Sequence, residues 1–407
     1  MIRFHKLLRI AYDHVPYYNH IINTNKIDVD SINNLEELPI TTKEDIREYG
    51  LLNFINNKYL DKDFRFTDDS KITITTSSGT TGVPMDVVWD RRTYLASTLP
   101  HWIYRHKNAL IMPSDTYFTS QRFKGNNLNC VKKSEREYAI NTDILTREGL
   151  FEVFKTLNDI QPDWLLIQPS MLYILVQFSL ENNLAFPCSI KYVEYFSEYL
   201  LPFYRKKIEN VLKCFSANMY ACSETHGIAY ECSQKNMHIL EGNVSVEILR
   251  NNKRTAYGKI GNVCVTNLHN YVMPIIRYKL NDKAYISDKP CQCGEKTHTI
   301  QLINTRIPEF VLFDDLDYCK LGKIYFPFDR IDFIKKEEQD IIFNLRRKSV
   351  ASYQIVFDDR SCGKMAKWQI TKIFKKIMYK YGLEDCEFVF DFTENIDSNL
   401  PCGLLRM

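Results

Sequence analysis

Residues 71–84 read Lys71-Ile-Thr-Ile-Thr-Thr-Ser-Ser-Gly-Thr-Thr-Gly-Val-Pro84. The β-branched alternation over Lys71–Thr75 predicts a strand. The stretch Thr76–Pro84 that follows carries two glycines and five hydroxyls where that strand ends. Glycine lets a backbone fold back and present its N–H groups as an anion-binding nest, and small hydroxyls add rotatable donors without bulk. The loop therefore suits phosphate. It is not a Walker loop, because no Gly-Lys-Ser/Thr follows. A plain polar turn is the other reading of the same residues.

Outward from the loop, strand-like and helix-like segments alternate as in a layered α/β domain. Trp164–Gln168 is a short apolar run ended by Pro169, and helical spacing follows to Glu181. Tyr192–Phe196 repeats the pattern, with Pro202 opening a basic amphipathic helix through Leu212. A further strand leads into Tyr220. Ser197-Glu198 and Cys222-Ser223-Glu224 thus fall at strand ends, where ligands collect in open α/β sheets. From Val244 the pattern becomes β-rich: Val244–Leu249 and Lys259–Thr266 are paired segments separated by a polar turn with Asn251-Asn252. Beyond residues 305–310 a hairpin (Ile341–Arg346, Tyr353–Phe357), a basic helix (Gly363–Tyr381) and a strand (Glu387–Phe392) make a small α+β unit. The expected organisation is a large N-terminal α/β domain over residues 1–306 and a small C-terminal lid domain over 307–407.

With 53 Lys and Arg against 50 Asp and Glu, the net charge of +3 demands neither nucleic acid nor a membrane surface. Basic pairs such as Lys206-Lys207 and Arg346-Arg347 read as solvated faces, so no nucleic-acid partner is expected. No stretch reaches the roughly 18 to 20 apolar residues that a membrane span requires, and no signal-like run follows Met1; the expected location is the cytoplasm. Twelve cysteines are too few for a disulfide scaffold of this length.

Ser/Thr-Ser/Thr-Gly-Ser/Thr-Thr-Gly-x-Pro resembles the ATP loop of the adenylate-forming superfamily, which includes acyl-CoA ligases, peptide-synthetase adenylation domains and luciferases. Other segments follow in that family's order. Phe196-Ser197-Glu198 resembles its Gly-Ala/Gly-Glu element, Tyr220-Ala-Cys-Ser-Glu224 its Tyr-Gly-x-Thr-Glu, and Met273-Pro-Ile-Ile-Arg277-Tyr-Lys-Leu-Asn-Asp282 its Met-Pro-x-Ile-Arg-Tyr-x-x-x-Asp. Ala11-Tyr-Asp-His-Val-Pro-Tyr-Tyr18 and Leu38-Pro-Ile-Thr-Thr-Lys43 look like the opening of the phenylacetate-CoA ligase branch, particularly of its CapK-like members in capsular polysaccharide biosynthesis. The resemblance runs from about residue 8 to 310 and thins afterwards. Met85 stands where many related loops carry a lysine.

The resemblance implies a fold of the adenylate-forming type with a mobile C-terminal domain, and an ATP- and Mg²⁺-dependent ligase. Such an enzyme activates a small carboxylic acid as acyl-adenylate and passes the acyl group to an acceptor thiol or amine: coenzyme A, an amino sugar or an amino acid. Ser77, Ser78, Gly79, Thr80, Thr81 and Gly82 would cradle the β and γ phosphates. Glu224 would hold Mg²⁺, a task that suits a hard carboxylate ligand. Tyr220 would face adenine, Asp282 would accept from the ribose hydroxyls, and Ser197, Glu198 and Ser223 would complete the nucleotide site. Arg277 is open to either a nucleotide role or a structural ion pair. Thr225, His226, Gly227, Tyr195 and Tyr199 fall where the family approaches its acid, and His226 is either a catalytic or a hydrogen-bonded structural residue. Arg306, in Thr305-Arg306-Ile-Pro-Glu309, occupies the hinge element Gly-Arg-x-x-Asp with two substitutions and is a third catalytic candidate beside Glu224 and His226.

Cys232 and His238 stand six apart, and Cys291-Gln-Cys293-Gly294 presents two thiols on a Gly-ended turn, as zinc knuckles do. Three cysteines and a histidine complete a tetrahedral structural zinc site; unliganded thiols are the alternative. Similar segments occur together in the CapK-like branch.

Family members usually end in Pro-x-x-Gly-Lys, whose lysine reaches the α-phosphate. This chain ends Leu400-Pro-Cys-Gly-Leu-Leu-Arg-Met407, which puts Leu404 at the lysine. The expectation divides accordingly. Either Lys364 or Arg406 supplies the cation, or adenylation is slow, or the chain is a non-adenylating homologue: a nucleotide-binding regulator or an acyltransferase.

Overall fold

The computed structural model describes residues 2–32, 34–67, 71–76, 85–121, 130–141, 147–198, 200, 202–303, 311–313, 341–349, 352–380, 387–394 and 402–406. The chain divides into two compact units, Met1–Pro113 with Ala217–Ile303, and Ser114–Ser216 with Asn304–Met407. The expected boundary at 306/307, and Arg306 with it, lies outside the described residues, as do Ser77, Ser78, Gly79, Thr80, Thr81, Gly82 and Tyr199.

The first unit opens with helices Ile2–His14 and Pro16–Thr24. Pro16 supplies the preset φ and the missing N–H that a first helical turn tolerates. These helices bury Leu7, Leu8, Ala11, Tyr17, Tyr18 and Ile22 in a core shared with the β-rich region. The strand expected at Lys71 begins one residue later, at Ile72–Thr76, because Lys71 is left-handed (φ 41°). It pairs antiparallel with Asp86–Asp90, from Ile72 opposite Asp90 to Thr76 opposite Asp86, so the glycine-rich segment joins the strands of a hairpin. A separate sheet runs in the order Lys253–Arg254, Val244–Arg250, Gly261–Asn267, Tyr278–Ser287, Thr299–Ile303, Met237–Ile239, His226–Glu231, Phe215–Cys222. Val244–Arg250 and Gly261–Asn267 pair as expected. The tight turn at Asn251-Asn252 belongs instead to the pairing of Leu249 and Arg250 with Arg254 and Lys253. Both asparagines have positive φ (52° and 61°), which a two-residue type I′ hairpin requires.

The second unit contains a mainly parallel sheet in the order Tyr192–Tyr195, Trp164–Ile167, Tyr117–Gln121, Glu137–Asn141, Cys130–Lys132; only the last strand is antiparallel to its neighbour. The helices Arg147–Ile160, Pro169–Asn182 and Pro202–Leu212 supply its core with residues such as Leu150, Phe154, Leu172, Phe178 and Tyr204. The same unit holds a 5-stranded sheet in the order Val311–Phe313, Cys402–Arg406, Ile341–Ser349, Ser352–Asp358, Glu387–Thr393. The expected C-terminal hairpin, helix (Lys367–Lys380) and strand are present. The strand Cys402–Arg406 was not expected. It is parallel to Val311–Phe313 and antiparallel to Ile341–Ser349, with Leu404 opposite Val311 on one side and Ile342 on the other. Among the described residues no helix is long and apolar enough to cross a membrane.

Candidate active site and metal centre

Three sequence segments far apart in the chain meet in the first unit. The stretch Met273–Asp282 runs into the strand Tyr278–Ser287, and the two N-terminal segments dock onto it. The Tyr18 hydroxyl accepts the Ile276 N–H at 3.0 Å. Thr41 N–H donates to the Arg277 carbonyl and Lys279 N–H to the Thr41 carbonyl, both at 2.9 Å, forming a parallel bridge between Thr41 and Tyr278. Buried backbone groups need such partners, so these bonds hold residues 38–43 against the start of the strand. Thr42 then caps the helix Lys43–Tyr49 in a reciprocal capping box with Asp45.

Around this join lie the nucleotide candidates. The Tyr220 hydroxyl donates to Asp282 Oδ2 at 2.9 Å. One carboxylate oxygen of Asp282 is thereby oriented by a side chain from the strand Phe215–Cys222. The Tyr220 ring itself is packed into the core, 8% exposed. Ser223 Oγ donates to the Thr76 carbonyl at 3.4 Å, tying the turn after the strand Phe215–Cys222 to the residue where the glycine-rich segment begins. Glu224 occupies the same turn, 6% exposed, with its carbonyl accepting from Asn267 Nδ2 at 3.2 Å. Its carboxylate faces the Tyr278 phenol, whose pKa is raised by burial and by that charge. Among the described residues the Glu224 carboxylate has no ion-pair partner. A buried carboxylate without a counterion is costly, and a metal is one of its ordinary partners. The thiol of Cys222 is pushed well up by burial and by Glu224, so it is no ready thiolate.

Arg277 takes the structural alternative. Nε and Nη2 donate to Glu247 Oε2 and Oε1 at 3.1 and 3.0 Å, with both side chains 4% exposed. Nη1 donates to the carbonyls of Glu36 and Leu38. The fork is thus spent on a buried bidentate pair and on the N-terminal segment.

His226 is enclosed by aromatic rings. It stacks on Trp89 (centroids 4.1 Å apart, planes at 10°), meets the edge of Tyr94 and hydrogen-bonds Ser97 through Nδ1. Burial and the neighbouring His101 lower its pKa to about 4, so the ring is neutral near pH 7. Gly227 has no room for a side chain: an added Cβ would lie 2.1 Å from His101 Nε2 and 2.7 Å from a Leu240 methyl. Gly227→Ala is expected to lower stability by about 1–3 kcal/mol, as overpacked cores do. A urea unfolding midpoint equal to wild type would refute this reading.

In the second unit Ser197 and Glu198 follow the strand Tyr192–Tyr195, with Ser197 left-handed (φ 70°), which is consistent with a sharp turn at a strand end. Tyr195 is fully buried in that unit's core. Lys364 is exposed in the turn before Lys367–Lys380.

The Cys/His set converges. The hairpin pairing His238 with Tyr230 puts Cys232, two residues beyond Tyr230, on the same face as His238. That explains the six-residue spacing. Cys291 and Cys293 arrive on the expected turn, closed by a Gly294 N–H to Cys291 carbonyl bond of 3.2 Å with Gly294 at φ 82°. All four ligand atoms lie within 4.8 Å of one another. Cys232 and Cys291 sulfurs are 3.8 Å apart, and Cys293 Sγ is 3.3 Å from His238 Nε2. Thiolates bound to tetrahedral zinc at about 2.3 Å stand roughly 3.8 Å apart. His238 Nδ1 lies 3.1 Å from the Thr297 carbonyl, which as a hydrogen bond sets the tautomer that leaves Nε2 free for a metal. Asn236 Nδ2 and the Glu295 N–H donate to the sulfurs of Cys291 and Cys293. The donor set fits zinc.

Comparison with known proteins agrees with this architecture. No protein-family model matches the chain. Phenylacetate-coenzyme A ligase of Thermus thermophilus is 23% identical over 325 residues, 73% of this chain and 66% of that protein. Phenylacetate-coenzyme A ligase of Escherichia coli K12 is 28% identical over 295 residues, 68% of this chain and 63% of that protein. The chain therefore spans just under two thirds of the length of these curated relatives. Crystal structures of 2-hydroxyisobutyryl-CoA ligase share the fold: the postadenylation state with 2-HIB-AMP aligns with TM-score 0.63 at 14% identity over 96% of this chain and 84% of that one. Its thioesterification state, with 2-HIB-AMP and CoA, aligns with TM-score 0.62 at 15% identity over 99% and 88%. The fold is that of the adenylate-forming ligases.

Proposed function

We propose that the chain is an ATP-dependent adenylate-forming ligase that activates a small carboxylic acid and transfers the acyl group to coenzyme A. The observation that supports the reading is the buried Glu224 carboxylate, which among the described residues has the Tyr278 phenol beside it but no ion-pair partner, in a turn tied to Thr76. Such a group would hold Mg²⁺ against the phosphates, the glycine-rich segment would supply N–H donors to them, and Asp282 would take the ribose hydroxyls. With the phosphates neutralised in this way, the acid's carboxylate can attack the α-phosphorus and release pyrophosphate. Coenzyme A is the acceptor in the names of the sequence relatives. An amine acceptor in surface-polysaccharide synthesis, in the CapK-like branch, is the finer form of the proposal, and rests on the resemblance of the opening segments and of the Cys/His segments to that branch. A cytoplasmic setting would supply both cofactors. Zinc at Cys232, His238, Cys291 and Cys293 has a full protein ligand set and so a structural role.

Leu404 favours a second reading, a non-adenylating homologue, because a leucine in place of the motif lysine can neither bridge nor neutralise phosphate. Pyrophosphate exchange over a panel of carboxylic acids separates the two. The ligase reading expects exchange with at least one acid and a loss of about 100-fold in Glu224→Gln, the scale of removing one charge-stabilising contact. Mg·ATP binding without exchange for any acid would favour the second reading, and unchanged Mg·ATP affinity in Glu224→Gln would take Glu224 out of the site.

A further inference from the structure

The helix Arg91–Ala109 of the first unit turns its polar side inward. Its buried residues are Thr93, Ser97, His101 and Arg105, spaced four apart along one face. Leu95, Leu99 and Ile103 keep the same spacing on another face, and each is 55% exposed. Just past the helix end Leu110 and Met112 are exposed as well. A surface helix ordinarily gives its apolar stripe to the core and its polar stripe to water. Here the arrangement is reversed, and contacts on the inner face hold it so. The Asp90 carboxylate accepts the Thr93 N–H at 2.9 Å, Asn243 Nδ2 donates to the Ser97 carbonyl at 2.8 Å, and Ser97 Oγ meets the His226 ring. Rolling the leucines inward would break these contacts, so the stripe stays at the surface. Exposed apolar patches of this kind mark docking sites for proteins or membranes.

Charge decides between them. The helix contains no Asp or Glu. Arg91 and Arg92 stand exposed before the stripe, and His106 and Lys107 stand exposed after it. Asp90, at the helix start, also accepts the Tyr59 hydroxyl, and Glu295 pairs with Lys107 at 3.1 Å, so both neighbouring acids are engaged. An apolar centre with positive ends complements a surface that is anionic at its face and apolar beneath. A second copy complements it poorly, because pairing the stripe with itself in either direction sets basic ends against basic ends. The net charge of +3 for the whole chain carries no sign of this, since the signal belongs to one face.

We propose that the helix Arg91–Ala109 docks the protein on an anionic phospholipid surface. Leu95, Leu99 and Ile103 enter the boundary between headgroups and acyl chains, and Arg91 and Arg92 take the lipid phosphates. The helix lies along the bilayer and does not cross it; among the described residues no helix is long and apolar enough to do so. The assignment is independent of the ligase reading.

Co-sedimentation of the full chain with vesicles tests the proposal, using phosphatidylcholine alone and phosphatidylcholine with phosphatidylglycerol in about a 7:3 ratio. Wild type should bind the mixed vesicles, bind phosphatidylcholine far more weakly, and be released by about 0.5 M salt, which screens the phosphate contacts. Leu99→Glu should weaken binding to mixed vesicles by at least about 10-fold, and Arg91→Gln with Arg92→Gln by about 10-fold. Ile103→Glu repeats the first test at a second position of the stripe. All these side chains are exposed, so the unfolding temperature should stay as in wild type. The proposal is overturned if wild type ignores the mixed vesicles, if it binds both compositions equally, or if Leu99→Glu and Ile103→Glu bind like wild type. A dimer in sedimentation velocity that Leu99→Glu dissolves, without vesicle binding, would assign the stripe to a second copy instead.

Discussion

Stripping zinc from Cys232, His238, Cys291 and Cys293 is expected to lower the unfolding temperature by more than about 10 °C. The four ligands come from a hairpin and from a turn 59 residues along the chain from Cys232, two regions that also meet where His238 pairs with Thr299. Without the ion, several thiols crowd within hydrogen-bond distance with no charge to bind. Structural zinc contributes about 10–16 kcal/mol of apparent folding free energy in small peptides. A loss of about 5 kcal/mol in a unit of this size shifts the midpoint by roughly 10–20 °C. Cys293→Ser should reproduce most of the loss, and the strands Met237–Ile239 and Thr299–Ile303 should lose amide protection first, since His238 lies in one and pairs with the other. Elemental analysis of protein purified without chelator should find one zinc per chain; its absence at stoichiometric level would end the assignment.

Arg277→Ala is expected to destabilise the first unit by about 3–5 kcal/mol, the range for breaking a buried ion pair from one side. The variant leaves Glu247 buried and uncompensated and frees the carbonyls of Glu36 and Leu38, so the N-terminal segment loses its clamp as well. Replacing both partners by apolar residues, Arg277→Met with Glu247→Leu, should recover a good part of the loss, because no lone charge then remains in the core. Urea unfolding of the two single variants and the double variant gives the coupling. If Arg277→Ala kept wild-type stability and lost only Mg·ATP affinity, Arg277 would belong to the nucleotide site instead.

Several features were legible from local pattern. The strand before the glycine-rich segment, the alternation from Trp164 to Leu212 and the placement of Ser197 and Glu224 after strand ends all follow from periodicity and proline chemistry over a few residues. So does the Cys-x-Cys-Gly turn, because glycine is the residue that takes φ 82° without strain. Asn251-Asn252 signalled a turn, but which strands it joined depended on the short pairing with Lys253 and Arg254.

What the sequence by itself determined, then, was the inventory: an α/β chain, a segment rich in glycine and hydroxyls, acidic groups at strand ends and a set of cysteines and a histidine that could hold a metal. Only the tertiary structure decided how these were used. Arg277 chose Glu247, 30 residues away, over a ligand. Cys402–Arg406 became a strand by pairing with segments at Val311 and Ile341. His226 was walled in by Trp89 and Tyr94. The physical reason is common to all three. Propensity and turn chemistry act between neighbours in the chain, whereas the partner of a buried charge or an unpaired backbone edge is set by which distant groups the packed core leaves within reach.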